Sequence, residues 1–287
     1  MKKVLITGGA GSIGRELATT LAGRGYHVAV LDIPGAHFGG FDALGIETVP
    51  ADITDAKAVE AAVKGRDIVI HLAGILPPAS EMRPDLAMAV NLDGTKNLTD
   101  AIATSKSQAR LVFSSTVATY GDTSGGEPYV DVNTPQKPNS VYSKSKYEAE
   151  QYIINSGIDY TILRVAAVFL AALTDPPVWP MLPEQRCEFI FRDDVVAALL
   201  ASVESDSASR RVFMVTGGPS WQMLGHEFVE KYLEILDVPV EDAEYPEQPV
   251  YSDWYDSAES EAVLHYQCTS FECYLSKLRK AVDEALQ

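Results

Sequence analysis

The chain has 287 residues, of which 46% are hydrophobic, and its formal net charge at pH 7 is −17. This length and composition are sufficient for one large globular domain, or for one domain with a smaller lobe. The negative charge repels polyphosphate backbones and anionic membranes, and no basic stripe overcomes this repulsion. We therefore expect neither a nucleic-acid partner nor a membrane partner.

The cysteines, the histidines and the N-terminal residues argue against a disulfide-rich protein, a metalloprotein and a secreted protein. Three cysteines and five histidines form no disulfide framework and no zinc-site spacing, so no metal is expected. Only Val4, Leu5 and Ile6 precede Gly8, far too few for a secretory signal, and no later apolar segment is long enough to span a bilayer. We expect a cytoplasmic protein.

Short apolar segments rich in β-branched residues alternate with helical patterns. The predicted strands are 3–7, 27–33, 47–53, 67–74, 110–116, 160–169 and 211–217. The predicted helices are 14–25, 55–65, 85–105, one that begins near residue 142, 191–205, 223–236 and 271–286. This alternation predicts an α/β fold, a Rossmann-type doubly wound parallel sheet that binds ligands at the carboxyl ends of its strands.

A domain boundary is predicted where this alternation weakens, after Phe169. The proline-rich segment 173–185 is predicted to be a loop, and the later helices alternate less regularly with strands. We therefore divide the chain into a Rossmann domain, residues 1–169, and a smaller mixed α/β substrate-side lobe, residues 170–287, partly interleaved with the sheet.

A glycine-rich segment, TGGAGSIG, joins the first predicted strand to the first predicted helix. Its G-x-x-G-x-x-G spacing gives a tight turn and lets backbone N–H groups approach a pyrophosphate at the start of the helix. Strand, loop and helix in this order predict a dinucleotide-binding site rather than a purely structural turn. The residues assigned to the loop site are Gly8, Gly11, Ser12, Ile13 and Gly14.

The end of the second predicted strand indicates which dinucleotide binds. Asp32 lies where a carboxylate binds the ribose hydroxyls of the adenosine, and it would repel the 2′-phosphate of NADP. No Lys or Arg between Arg24 and Lys57 offers a countercharge, so NAD is the expected cofactor. Other strand ends are assigned to the adenine edge (Asp52, Ile53) and to backbone contacts with the cofactor (Leu72, Ala73, Gly74). Strand-end packing is the alternative for these five residues.

The segment NSVYSKSKYEAEQ, residues 139–151, places a phenol and an ammonium four residues apart on a predicted helix. Residues i and i+4 share one helix face, so Tyr142 and Lys146 can bind a common ligand. A nearby cation favours the phenolate, so we expect the pKa of Tyr142 to fall from about 10 toward neutrality, where tyrosine can act as a base. From the spacing alone, an ordinary solvated helix face remains an equally simple interpretation of this segment.

In chain order, these segments resemble the extended short-chain dehydrogenase/reductase family, the NAD-dependent epimerase/dehydratase group. The matching segments are TGGAGSIG, Asp32, ADI (51–53), HLAG (71–74), NLDGT (91–95), FSSTVATYG (113–121), YSKSK (142–146) and LRVAAVF (163–169). The resemblance implies that Tyr142 is the general acid/base and that Lys146 lowers its pKa and binds the nicotinamide ribose. It implies that Thr116 hydrogen-bonds the reacting oxygen, with Ser114 and Ser115 at the strand end. Asn91 is assigned a helix-shaping role.

Departures from the family pattern bear on the substrate. Val117 and Ala118 occupy the positions of an acidic pair in the dehydratases, which disfavours water elimination. The segment RVAAVFLAA lacks the Pro, Asn and Gly-Pro of nucleotide-sugar epimerases. In CEFIFRDD, Asp194 is kept, but Phe191 replaces the usual His and Arg186 lies one position early.

A diphosphate-binding site in this part of the chain would have few cations available. Arg164, Arg186 and Arg192 are the only arginines between Arg110 and Arg210. The segment 227–261 is acidic with one lysine, which is also unfavourable for an anionic substrate. The aromatic and acidic segment 251–257 fits either a substrate lid or packing of the lobe.

Three functions remain open. The first is an NAD-dependent oxidoreductase or epimerase that acts on a carbohydrate-like secondary alcohol, with or without a nucleotide. The second is an NAD-dependent alcohol dehydrogenase or carbonyl reductase of a small non-nucleotide substrate. The third is a non-catalytic dinucleotide sensor, which would not need the complete set of Thr116, Tyr142 and Lys146. The family also implies a homodimer that pairs the helices around 85–105 and 142–155.

Overall fold

The computed structural model describes residues 1–106, 108–172, 178–247 and 252–285. Its central sheet contains β1 (Lys3–Thr7), β2 (His27–Asp32), β3 (Glu47–Pro50), β4 (Ile68–His71), β5 (Arg110–Thr116), β6 (Tyr160–Val165) and β10 (Arg211–Val215). The strand order is β10-β6-β5-β4-β1-β2-β3, and each neighbouring pair is parallel. The predicted doubly wound parallel sheet is therefore confirmed.

Four short strands form two small sheets within the described residues. Strand β7 (Val168–Phe169) pairs with β9 (Ile190–Phe191), and β8 (Arg186–Cys187) pairs with β11 (Met223–Leu224). The predicted strand 160–169 is thus two strands, because β6 ends at Val165. The strands predicted over 47–53 and 67–74 also end early, so residues 51–53 and 72–74 form loops at the sheet edge.

The helices of the described segments are α1 (Ser12–Gly23), α2 (Ala56–Val63), α3 (Ala79–Met82), α4 (Pro84–Met88), α5 (Gly94–Thr104), α6 (Val141–Asn155), α7 (Arg192–Glu204), α8 (Gly225–Leu236), α9 (Ala258–Leu264) and α10 (Phe271–Ala285). The single helix predicted over 85–105 is wrong in one respect. A π-helical turn, Ala89–Asp93, separates α4 from α5. Helices α3 and α9 are absent from the sequence-based prediction.

Both faces of the sheet are covered by apolar side chains, as the alternation along β1 requires. Val4 and Ile6 belong to a core cluster that includes residues of α1 and α7. Leu5 belongs to the opposite cluster, formed with residues of α2, α5 and α6. The helices on the two faces leave the carboxyl ends of the strands as the accessible edge.

The part of the chain after residue 169 contributes both to the sheet and to a separate aromatic cluster. Strand β10 pairs with β6 at the edge of the central sheet. The aromatic cluster is built mainly from Trp179, Phe189, Trp221, Phe228, Tyr232, Phe271 and Tyr274. Residues after 169 thus contribute a strand to the central sheet. The division of the chain into two domains at residue 169 stays a prediction.

Two predicted segments lie partly outside the described residues. Of the loop predicted over 173–185, only 178–185 are described, and they contain no helix or strand. Of the segment 251–257, Tyr251 is not described, whereas Asp253 and Tyr255 are buried. Burial of these two residues favours packing over a mobile lid. Over the described residues, no helix combines the length and apolar character needed to cross a membrane.

Candidate active site

The glycine-rich loop lies at the carboxyl end of β1 and packs tightly against the loop after β4. Gly8 has a φ of +68°, and a Cβ atom there would lie 2.6 Å from the Ala73 nitrogen. A Cβ atom on Gly14 would lie 2.5 Å from the Cα of Gly9. Both positions therefore need glycine to bring β1, α1 and the loop after β4 into contact.

The start of α1 fits the diphosphate of a dinucleotide. The helix follows Gly11, which has no side chain to cap it, and no acidic residue lies in its first turn. Gly11 and Ser12 are exposed, while Ile13 is partly buried against the core. Free N–H groups at the positive end of a helix bind anions. The phosphate-binding role of Gly8, Gly11, Ser12, Ile13 and Gly14 stays a prediction.

Asp32 lies beside this loop, as the sequence predicted. Its carboxylate accepts hydrogen bonds from the N–H groups of Ala10 (3.0 Å) and Ile33 (2.9 Å). Arg15 lies outside the stretch between Arg24 and Lys57 in which the sequence offers no cation, but the fold brings it to the loop after β2. Its guanidinium group donates to the carbonyls of His37 and Gly39 (2.9 Å for the latter) and lies 4.2 Å from the centre of the Phe41 ring.

The residues assigned to the adenine edge and the loop after β4 occupy different environments. Asp52 is exposed and accepts hydrogen bonds from Thr54, whereas Ile53 is buried against Gly94. The adenine-edge role of both residues stays a prediction. Leu72 and Ala73 are partly buried next to the glycine-rich loop. A Cβ atom on Gly74 would lie 3.6 Å from the Lys146 Nζ, so this loop adjoins the predicted catalytic residues.

Helix α6 presents Tyr142 in its first turn. The Ser140 hydroxyl accepts the Ser143 N–H (3.0 Å), and the Ser143 hydroxyl accepts the Ser140 N–H (3.0 Å), which forms a reciprocal cap. Thr116, the last residue of β5, is buried, and its hydroxyl lies close enough to the Tyr142 phenol to lower the pKa of that phenol. The structure therefore brings the predicted phenol and hydroxyl together at the carboxyl end of β5.

The pKa of Tyr142 departs from its usual value in the direction opposite to our expectation. Burial raises the pKa of the Tyr142 phenol to about 12, and the hydrogen bond with Thr116 opposes this increase only in part. Lys146 is not among the groups that shift this pKa. The expected lowering is wrong, because removal of the phenol from water outweighs the effect of the Thr116 hydroxyl.

Lys146, four residues after Tyr142 on α6, is buried. Its Nζ donates a hydrogen bond to the Ser114 carbonyl (2.9 Å) and lies 4.7 Å from the centre of the Phe113 ring. Burial lowers the pKa of Lys146 to about 8, although the Glu150 carboxylate acts in the opposite direction. The ammonium is therefore fixed at the end of β5 and titrates close to neutral pH. Ser114 is the residue that holds it there.

Asn91 joins the loop after β4 to α6. Its side chain accepts the Ile75 N–H (2.7 Å) and donates to the Ile75 carbonyl (3.0 Å) and to the Ser145 hydroxyl (3.1 Å). Asn91 lies in the π-helical turn, a distortion that is frequent at functional sites. These contacts are consistent with the structural role that the sequence analysis gave to Asn91.

The sequence analysis missed a buried histidine behind the site. His71, fully buried at the end of β4, contacts the hydroxyls of Thr7 (2.7 Å) and Thr95 (2.9 Å). Burial lowers the pKa of His71 well below its usual value, and the Lys146 charge adds to this effect. The imidazole is therefore neutral, and it links β1 to α5. Its position in the segment HLAG was the only sequence signal.

The arginines considered for phosphate binding are all paired with carboxylates. Arg164 is buried and binds Glu150 (2.8 Å), Arg186 binds Asp253 (2.6 Å), and Arg192 binds Asp193 (2.8 Å). Arg164 also donates to the Tyr120 hydroxyl (2.6 Å), which completes a buried network. The assignment of Arg164 as a candidate phosphate ligand is therefore wrong, because its guanidinium group is enclosed in the protein core.

Comparison with known proteins identifies the family. The model of the NAD dependent epimerase/dehydratase family matches residues 4–177. The chain is 33% identical to 3 beta-hydroxysteroid dehydrogenase/Delta 5-->4-isomerase of Mycobacterium tuberculosis (strain CDC 1551 / Oshkosh) over 168 residues, 55% of this chain and 44% of that protein. It is 31% identical to D-erythronate dehydrogenase of Cupriavidus necator over 183 residues, 58% of this chain and 55% of that protein.

A solved structure with the same fold is the UDP-glucuronic acid 4-epimerase from Bacillus cereus in complex with NAD. The TM-score is 0.79 at 20% identity, and the match covers 99% of this chain and 100% of that chain. The chain spans about half the length of the curated relatives above. It belongs to the NAD dependent epimerase/dehydratase family, the extended short-chain dehydrogenases/reductases, and the cofactor of that family is NAD.

Proposed function

We propose that the protein transfers a hydride between NAD and the carbinol carbon of a carbohydrate-like secondary alcohol that carries no nucleotide. The proposal rests on one observation. The Tyr142 phenol, the Thr116 hydroxyl and the Lys146 ammonium lie together at the carboxyl end of β5, beside the loop that contains Gly74. This set can move the proton that must leave or enter the alcohol oxygen during hydride transfer.

Each residue has a distinct role in this mechanism. Tyr142 removes the hydroxyl proton of the alcohol during oxidation and returns it to the carbonyl oxygen during reduction. Thr116 hydrogen-bonds the same oxygen, and the Lys146 ammonium holds the nicotinamide ribose. When NAD is bound, it supplies the acceptor for the hydride. A pKa of about 12 keeps the Tyr142 phenol protonated at neutral pH, and this is the form that donates a proton to a carbonyl.

The pairing of the arginines supports a substrate without a diphosphate. A diphosphate would have to compete with Glu150, Asp253 and Asp193 for the three guanidinium groups. Two of the relatives are named as dehydrogenases of a 3 beta-hydroxysteroid and of D-erythronate, which supports net dehydrogenation. The homodimer and the cytoplasmic location stay predictions.

A nucleotide-sugar epimerase is the second candidate, and one observation favours it. A cavity of about 240 Å³ is lined by Arg186, whose side chain is 23% exposed, together with Ser124, Gln185 and Asp253. An arginine at a cavity wall can form a two-point contact with phosphate if its carboxylate partner moves away.

Two assays distinguish the candidates. In the first, the protein is incubated with NAD and a panel of polyols and sugar acids, and the absorbance of NADH is followed. Our proposal predicts NADH accumulation with at least one of these alcohols. In the second, thermal shifts are measured with UDP, GDP and dTDP in the presence of NAD. A nucleotide shift that is lost in Arg186→Ala, with no NADH from any free alcohol, would replace our proposal with the epimerase.

A further inference from the structure

A carboxylate from helix α3, which follows the loop after β4, contacts the N-terminus of α6, the helix that carries Tyr142. Glu81, in α3, accepts the Tyr142 N–H through one oxygen (3.0 Å) and the Val141 N–H through the other (3.0 Å). The buried Ser80 hydroxyl donates to the same carboxylate (3.1 Å). One side chain thus binds two consecutive main-chain donors that lie about 60 residues further along the chain.

These bonds complete the first turn of α6. The first N–H groups of any helix lack partners within the helix. In α6, the Ser140 hydroxyl accepts the Ser143 N–H, and Glu81 accepts the two N–H groups that remain between them. The main chain of Tyr142 is therefore held by a residue from a different part of the fold.

The cap of α2 provides a contrast within the same molecule. Asp55, the residue before α2, accepts the N–H groups of Lys57 (3.0 Å) and Ala58 (3.2 Å). That cap is local and needs no other segment to be in place. The Glu81 cap, in contrast, forms only when the loop after β4 is docked on α6.

The loop after β4 is attached to α6 through a second connection. Asn91 binds both main-chain groups of Ile75 and donates to the Ser145 hydroxyl on α6. The loop is thus fixed to α6 near Ser145 at its beginning and at Tyr142 near its end.

We propose that Glu81 is a positioning residue for Tyr142. The Glu81 carboxylate fixes the first turn of α6 and thereby holds the Tyr142 phenol against Thr116. This inference rests on the proposed acid/base function of Tyr142. Among the described residues, the hydrogen bonds of Glu81 come from the main-chain N–H groups of Val141 and Tyr142 and from the Ser80 hydroxyl, so Glu81 acts through Tyr142 and not on the reacting atoms.

The ionisation of Glu81 is consistent with this role. Burial acts to raise the pKa of its carboxyl, but the hydrogen bonds from Tyr142, Val141 and Ser80 outweigh burial, and its pKa lies below the ordinary value. The carboxylate form is therefore the one present at neutral pH. Its negative charge also lies at the positive end of the α6 dipole, where it is favourable.

The test compares Glu81→Ala with Glu81→Gln and with Asp55→Ala as the matched control. Displacement of a catalytic group by about 1 Å costs up to about 100-fold in rate, so we expect kcat to fall between about 10- and 100-fold in Glu81→Ala. The KM for NAD should stay unchanged, because the glycine-rich loop is untouched. Glu81→Gln keeps a carbonyl oxygen as acceptor and should recover part of kcat, whereas Asp55→Ala should keep wild-type kcat.

Hydrogen exchange provides a readout that does not depend on turnover. The amides of Val141 and Tyr142 should exchange faster in Glu81→Ala and remain protected in Asp55→Ala. Wild-type kcat in Glu81→Ala overturns the positioning role, and so does unchanged exchange at these two amides. Tyr142→Phe is assayed in parallel. Full turnover in that variant refutes the proposed function, whereas an inactive Tyr142→Phe beside a fully active Glu81→Ala refutes the role of Glu81 alone.

Discussion

We predict that loss of the buried ion pair between Arg164 and Glu150 lowers the stability of the protein. The same substitution tests whether Arg164 is a phosphate ligand. The Arg164 side chain is 5% exposed and donates to Glu150 (2.8 and 3.2 Å), to the Tyr120 hydroxyl (2.6 Å) and to the Val132 carbonyl (3.1 Å). Arg164→Met keeps most of the aliphatic volume and removes all of these hydrogen bonds. The fully buried Glu150 carboxylate is then left without its cation.

The expected loss follows from this burial. Removing one partner of a buried, hydrogen-bonded ion pair costs about 3–5 kcal/mol, because the remaining charge stays in a poorly solvated place. Gln136 (3.0 Å) and Ser115 still donate to Glu150, so we expect the lower part of this range. The exposed pair between Arg24 and Glu204 is the matched control, with side chains 49% and 38% exposed, and its loss should cost about 0–1 kcal/mol.

Urea unfolding of the wild type, Arg164→Met and Arg24→Met measures these differences directly. The double variant Arg164→Met/Glu150→Gln should recover part of the loss, since the uncompensated charge is also removed. A loss in Arg164→Met no larger than that in Arg24→Met would refute the reasoning. Selective loss of nucleoside diphosphate binding with unchanged stability would instead restore Arg164 as a phosphate ligand.

Three further predictions concern the cofactor site. Asp32→Ala should narrow the preference for NAD over NADP in a binding titration, and equal affinities in the wild type would contradict the ribose assignment. Gly8→Ala should weaken NAD binding and lower the melting temperature, because its Cβ would meet Ala73 at 2.6 Å. The control Gly23→Ala, whose Cβ meets nothing within 4 Å, should leave NAD binding unchanged and should not lower the melting temperature. NAD affinity should fall as the pH rises through about 8, because the Lys146 ammonium that binds the ribose then loses its proton. An affinity that is flat across this range, or equally steep in Lys146→Met, would contradict this role.

The sheet and the cofactor loop could be predicted because their signals are local. Strands β1 and β5 are continuous apolar segments that end where the sequence indicated, at Thr7 and Thr116. The glycine spacing of the loop fixes its geometry through contacts between near neighbours. The spacing of Tyr142 and Lys146 is likewise a property of a single helix.

The features that the sequence did not predict depend on contacts between distant segments. Arg15 reaches the loop after β2 only because α1 packs beside it, and Glu81 reaches α6 across about 60 residues of chain. The carboxylate that neutralises Arg164 is on α6, and burial of the phenol reverses the expected direction of the Tyr142 pKa. No local pattern reports solvent exposure or a distant countercharge, so these outcomes require the tertiary structure.

The central claim is that Tyr142 transfers the proton in an NAD-dependent reaction at a secondary alcohol. The most direct measurement compares turnover and NAD affinity in the wild type and in Tyr142→Phe, with the exposed Tyr129→Phe as the control. Tyr142→Phe should lose turnover and keep its NAD affinity, because only the proton-transfer group is removed. Tyr129→Phe should keep both turnover and NAD affinity. Wild-type turnover in Tyr142→Phe would contradict the account.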